Sequence, residues 1–136
     1  MSAEILPDTN VILRYLLGDV PDQFTKAEAF FEKVRTGAER ALLLESVVVE
    51  CVYVLTRYYQ VPKERVVATL TELLQYKGIT NSDKDTLVAG LRLYGNNALD
   101  VVDCLLLAQA HATGRRGFSF DKKLKRQALN PDARTP

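Results

Sequence analysis

Histidine and cysteine are scarce in this 136-residue chain, with one and two residues respectively. Cys51 and Cys104 lie inside apolar runs and fit no zinc-finger spacing, so each reads as a small buried hydrophobe. Their scarcity makes a reducing cytoplasm the default expectation. The lone His111 has no Gly-x-Ser-x-Gly elbow to serve, and no Walker-type or dinucleotide-type glycine loop occurs. No apolar run approaches the roughly 20 residues that span a bilayer. The first residues lack the basic segment and apolar core of a secretory leader. Repeats, low-complexity tracts and Pro/Gly/Ser linkers are also missing, so a single domain over 1–136 is expected.

What is present is an ordinary globular balance, 47% hydrophobic and 26% charged. The net charge of +1 conceals an asymmetry. Residues 1–110 carry 11 basic and 15 acidic residues, whereas residues 111–136 carry seven and two. The basic set is Arg115, Arg116, Lys122, Lys123, Lys125, Arg126 and Arg134. Such an end suits an anionic ligand, or equally a solubilising helix.

Short apolar runs alternate with helical periodicity. Ile5-Leu6 reads as a first strand, and Asp8-Thr9-Asn10 supplies N-cap chemistry for a helix that Gly18 stops. Phe24, Ala27, Phe31 and Val34 follow helical spacing between Asp22 and Arg35. Ala41–Leu44 reads as a buried strand, followed by a helix over about 47–59 with Ser46 as N-cap. Pro62 opens a helix through Val66, Leu70, Leu73 and Leu74. Ile79-Thr80 is a brief strand, and Asp83 or Ser82 caps a helix ending at Gly95. Residues 100–113 are apolar nearly all round, as a buried helix would be. Phe118-Ser119-Phe120 reads as a last short strand before a basic helix. The alternation predicts an α/β fold with a short parallel sheet, whose sites lie at the carboxyl ends of strands.

Four acids abut these apolar runs: Asp8, Glu50, Asp103 and Asp121. A carboxylate held among apolar neighbours costs several kcal/mol unless its charge is compensated. No Lys or Arg lies within those runs, so a divalent cation is the natural compensator. Mg²⁺ and Mn²⁺ prefer oxygen ligands and need only a few carboxylates. Singly, each acid has a plainer reading. Asp8 and Asp121 suit helix N-caps, Glu50 suits a helix flank, and Asp100 with Asp103 are spaced as an N-cap and its third-residue partner. Capping and metal binding are compatible, because cap positions can aim carboxylates toward one point. The chemistry that wants such a set is phosphodiester hydrolysis by a metal-activated water.

The segments Leu6-Pro7-Asp8-Thr9-Asn10-Val11, Ser46-Val47-Val48-Val49-Glu50, Asp100-Val101-Val102-Asp103-Cys104-Leu105 and Ser119-Phe120-Asp121-Lys122 resemble the four acidic motifs of PIN-domain ribonucleases. They are most similar to the VapC-type toxins of bacterial toxin–antitoxin pairs. The resemblance covers nearly the whole chain, with the motifs in order and at typical spacing.

It implies a three-layer α/β/α sandwich and a metal-dependent endoribonuclease using Mg²⁺, with Mn²⁺ as the other candidate. Carried over by position, Asp8, Glu50, Asp103 and Asp121 are the acidic quartet, with Asp8, Asp103 and Asp121 as metal ligands. Asp100, Asn10 and Ser119 match supporting positions. Arg115, Arg116, Lys122, Lys123, Lys125 and Arg126 are candidates for holding the RNA backbone. The resemblance also implies a homodimer and a cognate antitoxin as partner. One departure concerns residues 128–136, which lack the apolar content of the family's final edge strand. Two alternatives stay open: a catalytically silent RNA- or protein-binding module of this fold, and another carboxylate-and-metal nuclease or phosphatase.

Overall fold

A computed structural model describes residues 3–125. Arg126 and the question of a final edge strand lie outside the described residues. The chain divides into two compact units, Met1–Ser82 and Asp83–Pro136, each described by itself.

The first unit carries α1 (Thr9–Leu17), α2 (Pro21–Thr36), α3 (Glu45–Tyr53) and α4 (Lys63–Leu74). Its extended segments are very short. Single-residue parallel bridges join Ile5 to Ala41 and Ala41 to Ile79, placing Ala41 in the middle. The expected parallel order therefore appears, but no longer strand forms among the described residues. The Ala41–Leu44 run bridges only at its first residue, and Leu44 is exposed. Leu43 continues the line by another route, pairing with the side chain of Asn81.

Glycine closes α1 and α2 as expected. Gly18 and Gly37 both adopt positive φ, 63° and 87°, where a Cβ would be strained. Ala27, Phe31 and Val34 form the buried stripe of α2, and Val66, Leu70, Leu73 and Leu74 that of α4. Pro62 stands one position outside α4 as its N-cap residue.

The helix expected over 47–59 begins earlier and changes character before its end. Leu44, rather than Ser46, is the N-cap residue, because its carbonyl already accepts the N–H groups of Val47 and Val48 at 3.0 Å. After Tyr53 the winding loosens into a π-helical turn, Val54–Tyr58, closed by Tyr59 N–H donating to the Val54 carbonyl at 3.1 Å. Gln60 follows with φ 54°, which ends the helix as a glycine elsewhere would.

The second unit pairs α5 (Lys84–Asn96) with α6 (Val101–Thr113), followed by the four-residue α7 (Lys122–Lys125). Their packing is close. A Cβ on Gly90 would meet Leu105 Cδ2 at 2.5 Å, so α5 approaches α6 where it has no side chain. Leu99, Cys104, Leu107 and Leu124 form a buried cluster beside them. Helix α6 is less enclosed than its composition suggests, since Val102 and Leu106 reach solvent.

The strand expected at 118–120 does not form; Phe118 and Phe120 are exposed. The physical reason is local. Ser119 Oγ accepts the N–H of Asp121 at 2.9 Å, a side-chain turn bond that competes with ladder formation.

Candidate functional site

In the first unit, Pro7 leads the chain out of the Ile5 bridge and Asp8 begins α1. Asp8 sits in extended conformation, and its Oδ1 accepts the N–H of Val11 at 2.9 Å. One carboxylate oxygen thus caps the helix, and Asp8 itself is exposed. Glu50 is also exposed, on the flank of α3. Between apolar neighbours and these two acids lies Cys51. Burial, then the negative charges of Glu50 and Asp8, push its thiol up to about 12. Asp8 and Glu50 are therefore near enough to act on one sulfur.

A cavity of about 510 Å³ opens beside Asp8, lined by Leu6, Asn10, Arg14, Lys26 and Phe30 among others. Arg14 is its fixed cation. Its guanidinium donates to Tyr59 Oη at 3.0 Å and to Asp19 Oδ2 at 2.9 Å, while its Nε is buried without a partner. The bond to Tyr59, with the Asp19 charge, holds its pKa above the usual value despite burial. The sequence reading missed Arg14 and Lys26. The available signal was the four-residue spacing of Asn10 and Arg14, which puts both on one face of α1.

In the second unit, Asp100 caps α6, accepting the Val102 N–H at 3.3 Å. Asp103 lies one turn on and is half-buried. Desolvation raises its carboxyl, and the neighbouring charges of Asp100 and then Asp121 raise it further. Asp121 is exposed and begins α7, its Oδ1 accepting from Lys123 at 2.8 Å and Leu124 at 3.1 Å. Ser119 supports it through the turn bond to its N–H. Arg115, Arg116, Lys122, Lys123 and Lys125 are all exposed along the same stretch.

The picture corrects one premise of the sequence reading. Of the quartet only Asp103 is partly withdrawn from water; Asp8, Glu50 and Asp121 face solvent, since each occupies a helix start or flank whose apolar neighbours point elsewhere. At Asp103, partial burial comes first and the charges of Asp100 and Asp121 add to it. Among the described residues, no three His, Cys, Asp or Glu side chains form a group able to hold a metal ion together. Within each unit, the acids lie near enough for their charges to act together, Asp8 and Glu50 on Cys51, and Asp100 and Asp121 on Asp103, and each offers carboxylate oxygen. That donor chemistry fits a hard divalent cation and not a soft one.

Residues 5–129 match the PIN domain. The chain belongs to the PIN-domain family. A VapC ribonuclease from Aquifex aeolicus (strain VF5) is 26% identical over 130 residues, covering 93% of this chain and 96% of the relative.

Proposed function

We propose that this chain is a metal-dependent endoribonuclease, the toxin of a toxin–antitoxin pair. The observation that carries the reading is the state of Asp103. A carboxylate made reluctant to ionise by desolvation and by two neighbouring acids is one that a divalent cation stabilises. The match over 5–129 runs through both units and supports treating 1–136 as one PIN-like domain. The parallel bridges at Ile5, Ala41 and Ile79 support the family's α/β/α layering with its sheet reduced to short segments.

By the family resemblance, Asp8, Asp103 and Asp121 would hold Mg²⁺ or Mn²⁺, and Glu50 would be the fourth catalytic acid. The bound ion would supply Lewis acidity and a water of lowered pKa. Glu50, exposed on the flank of α3, would take the role of proton acceptor. Asp100 and Ser119 act as positioning groups, one through the start of α6 and the other through the Asp121 backbone. Asn10 lies on the Asp8 cavity as a hydrogen-bonding neighbour. Arg115, Arg116, Lys122, Lys123 and Lys125 hold the RNA backbone without reading sequence, so affinity falls steeply with salt.

The relative's name supports an RNA substrate, and a cognate antitoxin, a homodimer and residence in the cytoplasm belong to the same proposal. No helix among the described residues is long and apolar enough to cross a membrane. The test is incubation with RNA, DNA and a small phosphate ester in Mg²⁺, Mn²⁺ or chelator. RNA cleavage that needs metal is expected, and cleavage that persists in Asp8→Asn or Asp103→Asn refutes the assignment.

A further inference from the structure

We propose that Phe118 and Phe120 form a stacking platform for the unpaired bases of single-stranded RNA. The proposal rests on the nuclease reading for its ligand class and adds which form of RNA is held and by which side chains. Two phenylalanines this exposed, 81% and 85%, are unusual on a soluble surface. They pack edge-to-face on each other, with ring centroids 5.4 Å apart at 88°. That geometry leaves a π face of the pair uncovered for a base.

The surroundings select the occupant. Arg115 and Arg116 precede the pair, Lys122, Lys123 and Lys125 follow it, and all five are exposed. The one acid within 115–125 is Asp121, whose Oδ1 is engaged by the Lys123 and Leu124 N–H groups. Aromatic rings set between cations are the combination that binds single strands: cations follow the phosphates while bases stack on the rings. A duplex already stacks its bases internally and offers the rings nothing. An apolar protein partner would not call for the flanking positive charge. The turn bond from Asp121 N–H to Ser119 Oγ fixes the backbone between the rings and the acid. Bases on the platform are thereby held beside Asp121.

The test measures binding of a short labelled oligoadenylate, alone and annealed to oligouridylate, by fluorescence anisotropy in chelator. Phe118→Leu with Phe120→Leu keeps apolar volume and removes the rings; Phe118→Tyr with Phe120→Tyr keeps them. The leucine pair should bind the single strand roughly tenfold or more weakly, with duplex binding within about twofold of wild type. The tyrosine pair should bind as wild type does. Leucine variants that hold the single strand as tightly as wild type overturn the platform. So does an equal loss on both RNA forms, or a change confined to sedimentation, which would assign the rings to a protein contact. Cleavage in Mg²⁺ is followed in parallel. Wild-type cutting with ring-independent binding overturns the platform alone. Ring-dependent binding by a protein that never cuts supports the platform and overturns the nuclease reading.

Discussion

The side-chain amide of Asn81 pairs with the backbone of Leu43 as another strand residue would. Leu43 N–H donates to Asn81 Oδ1 at 2.9 Å, and Asn81 Nδ2 donates to the Leu43 carbonyl at 2.7 Å. The two residues lie two positions beyond the Ala41–Ile79 bridge on each segment. The amide therefore extends a parallel pairing that the backbone itself has stopped making. Asn81 is the buried polar side chain of the described core, 8% exposed.

Replacing Asn81 with Leu removes both bonds and strands a buried N–H and C=O at Leu43. Each orphaned group costs about 1–3 kcal/mol, so a loss of about 3 kcal/mol is expected from the pair. Urea unfolding followed by circular dichroism measures it; a loss below about 1 kcal/mol would show the pairing to be dispensable.

Gly78→Ala should be among the most damaging small substitutions. A Cβ there would stand 2.1 Å from the Glu39 carbonyl oxygen and 2.7 Å from that of Val34, both backbone atoms that cannot swing aside. Gly78 also donates to Val34 O at 2.7 Å and accepts from Ala41 at 2.9 Å, so moving it breaks the approach to the central bridge. A loss of about 3 kcal/mol or more is expected, read as a lowered urea midpoint or loss of soluble protein.

Asp103→Asn should have opposite effects on stability and on catalysis. Its folded carboxyl holds a proton more tightly than the unfolded one. The folded state therefore keeps the proton to higher pH than the unfolded chain, and stability falls as pH rises from the ordinary carboxylate value through the raised one. At neutral pH the ionised group is a standing cost that Asn removes. The metal-free variant should melt about one to three degrees higher, and its RNA cleavage should drop on the order of 100-fold or more. Mg²⁺ should raise the melting temperature of wild type and scarcely that of the variant. Calorimetry with and without the ion separates these outcomes, and a variant melting below metal-free wild type counts against the crowding of Asp103.

Cys51 and Cys104 should both resist a thiol reagent at pH 8 in the native protein. Both are buried, and the Cys51 thiol, pushed up to about 12, has almost no thiolate to offer. Two equivalents should react only after denaturation. Rapid native labelling at Cys51 would mean that α3 is far more open than its packing indicates.

Much of the helical framework was legible because apolar residues recur at helical spacing and three of the stops, Gly18, Gly37 and Gly114, are glycines with left-handed φ. Phe31, Val34, Leu70 and Leu74 fall on buried faces as their spacing requires. The short extended segments were harder. Ala41–Leu44 and Phe118–Phe120 have strand-like composition, but pairing depends on what lies opposite, and composition does not record that. At 118–120 the Ser119 turn bond prevails over propensity. The acids stood out as a set, and the geometry of each as a cap followed from residue type. Their exposure did not follow, because an acid beside an apolar run in sequence sits on the opposite side of a helix start in space. The acidic crowding at Asp103 brings Asp121 in from a different element, which spacing along one helix cannot reveal.

The π-helical turn at Val54–Tyr58 gives the first unit an uneven tolerance to changes in length. A π turn holds one residue more than an α turn. Deleting one residue from 54–58 would let the helix continue with regular α bonding, so the local backbone loses little. Residues after the turn would keep their facing, because the wider turn takes up its extra residue within one revolution. Removing a residue from the regular turns of α3 would instead rotate everything after it by about 100° and swing Tyr59 away from Arg14, whose guanidinium it meets at 3.0 Å beside the Asp8 cavity. The cation nearest the first acid thus survives a cut in one part of the helix and is lost by the same cut a turn earlier.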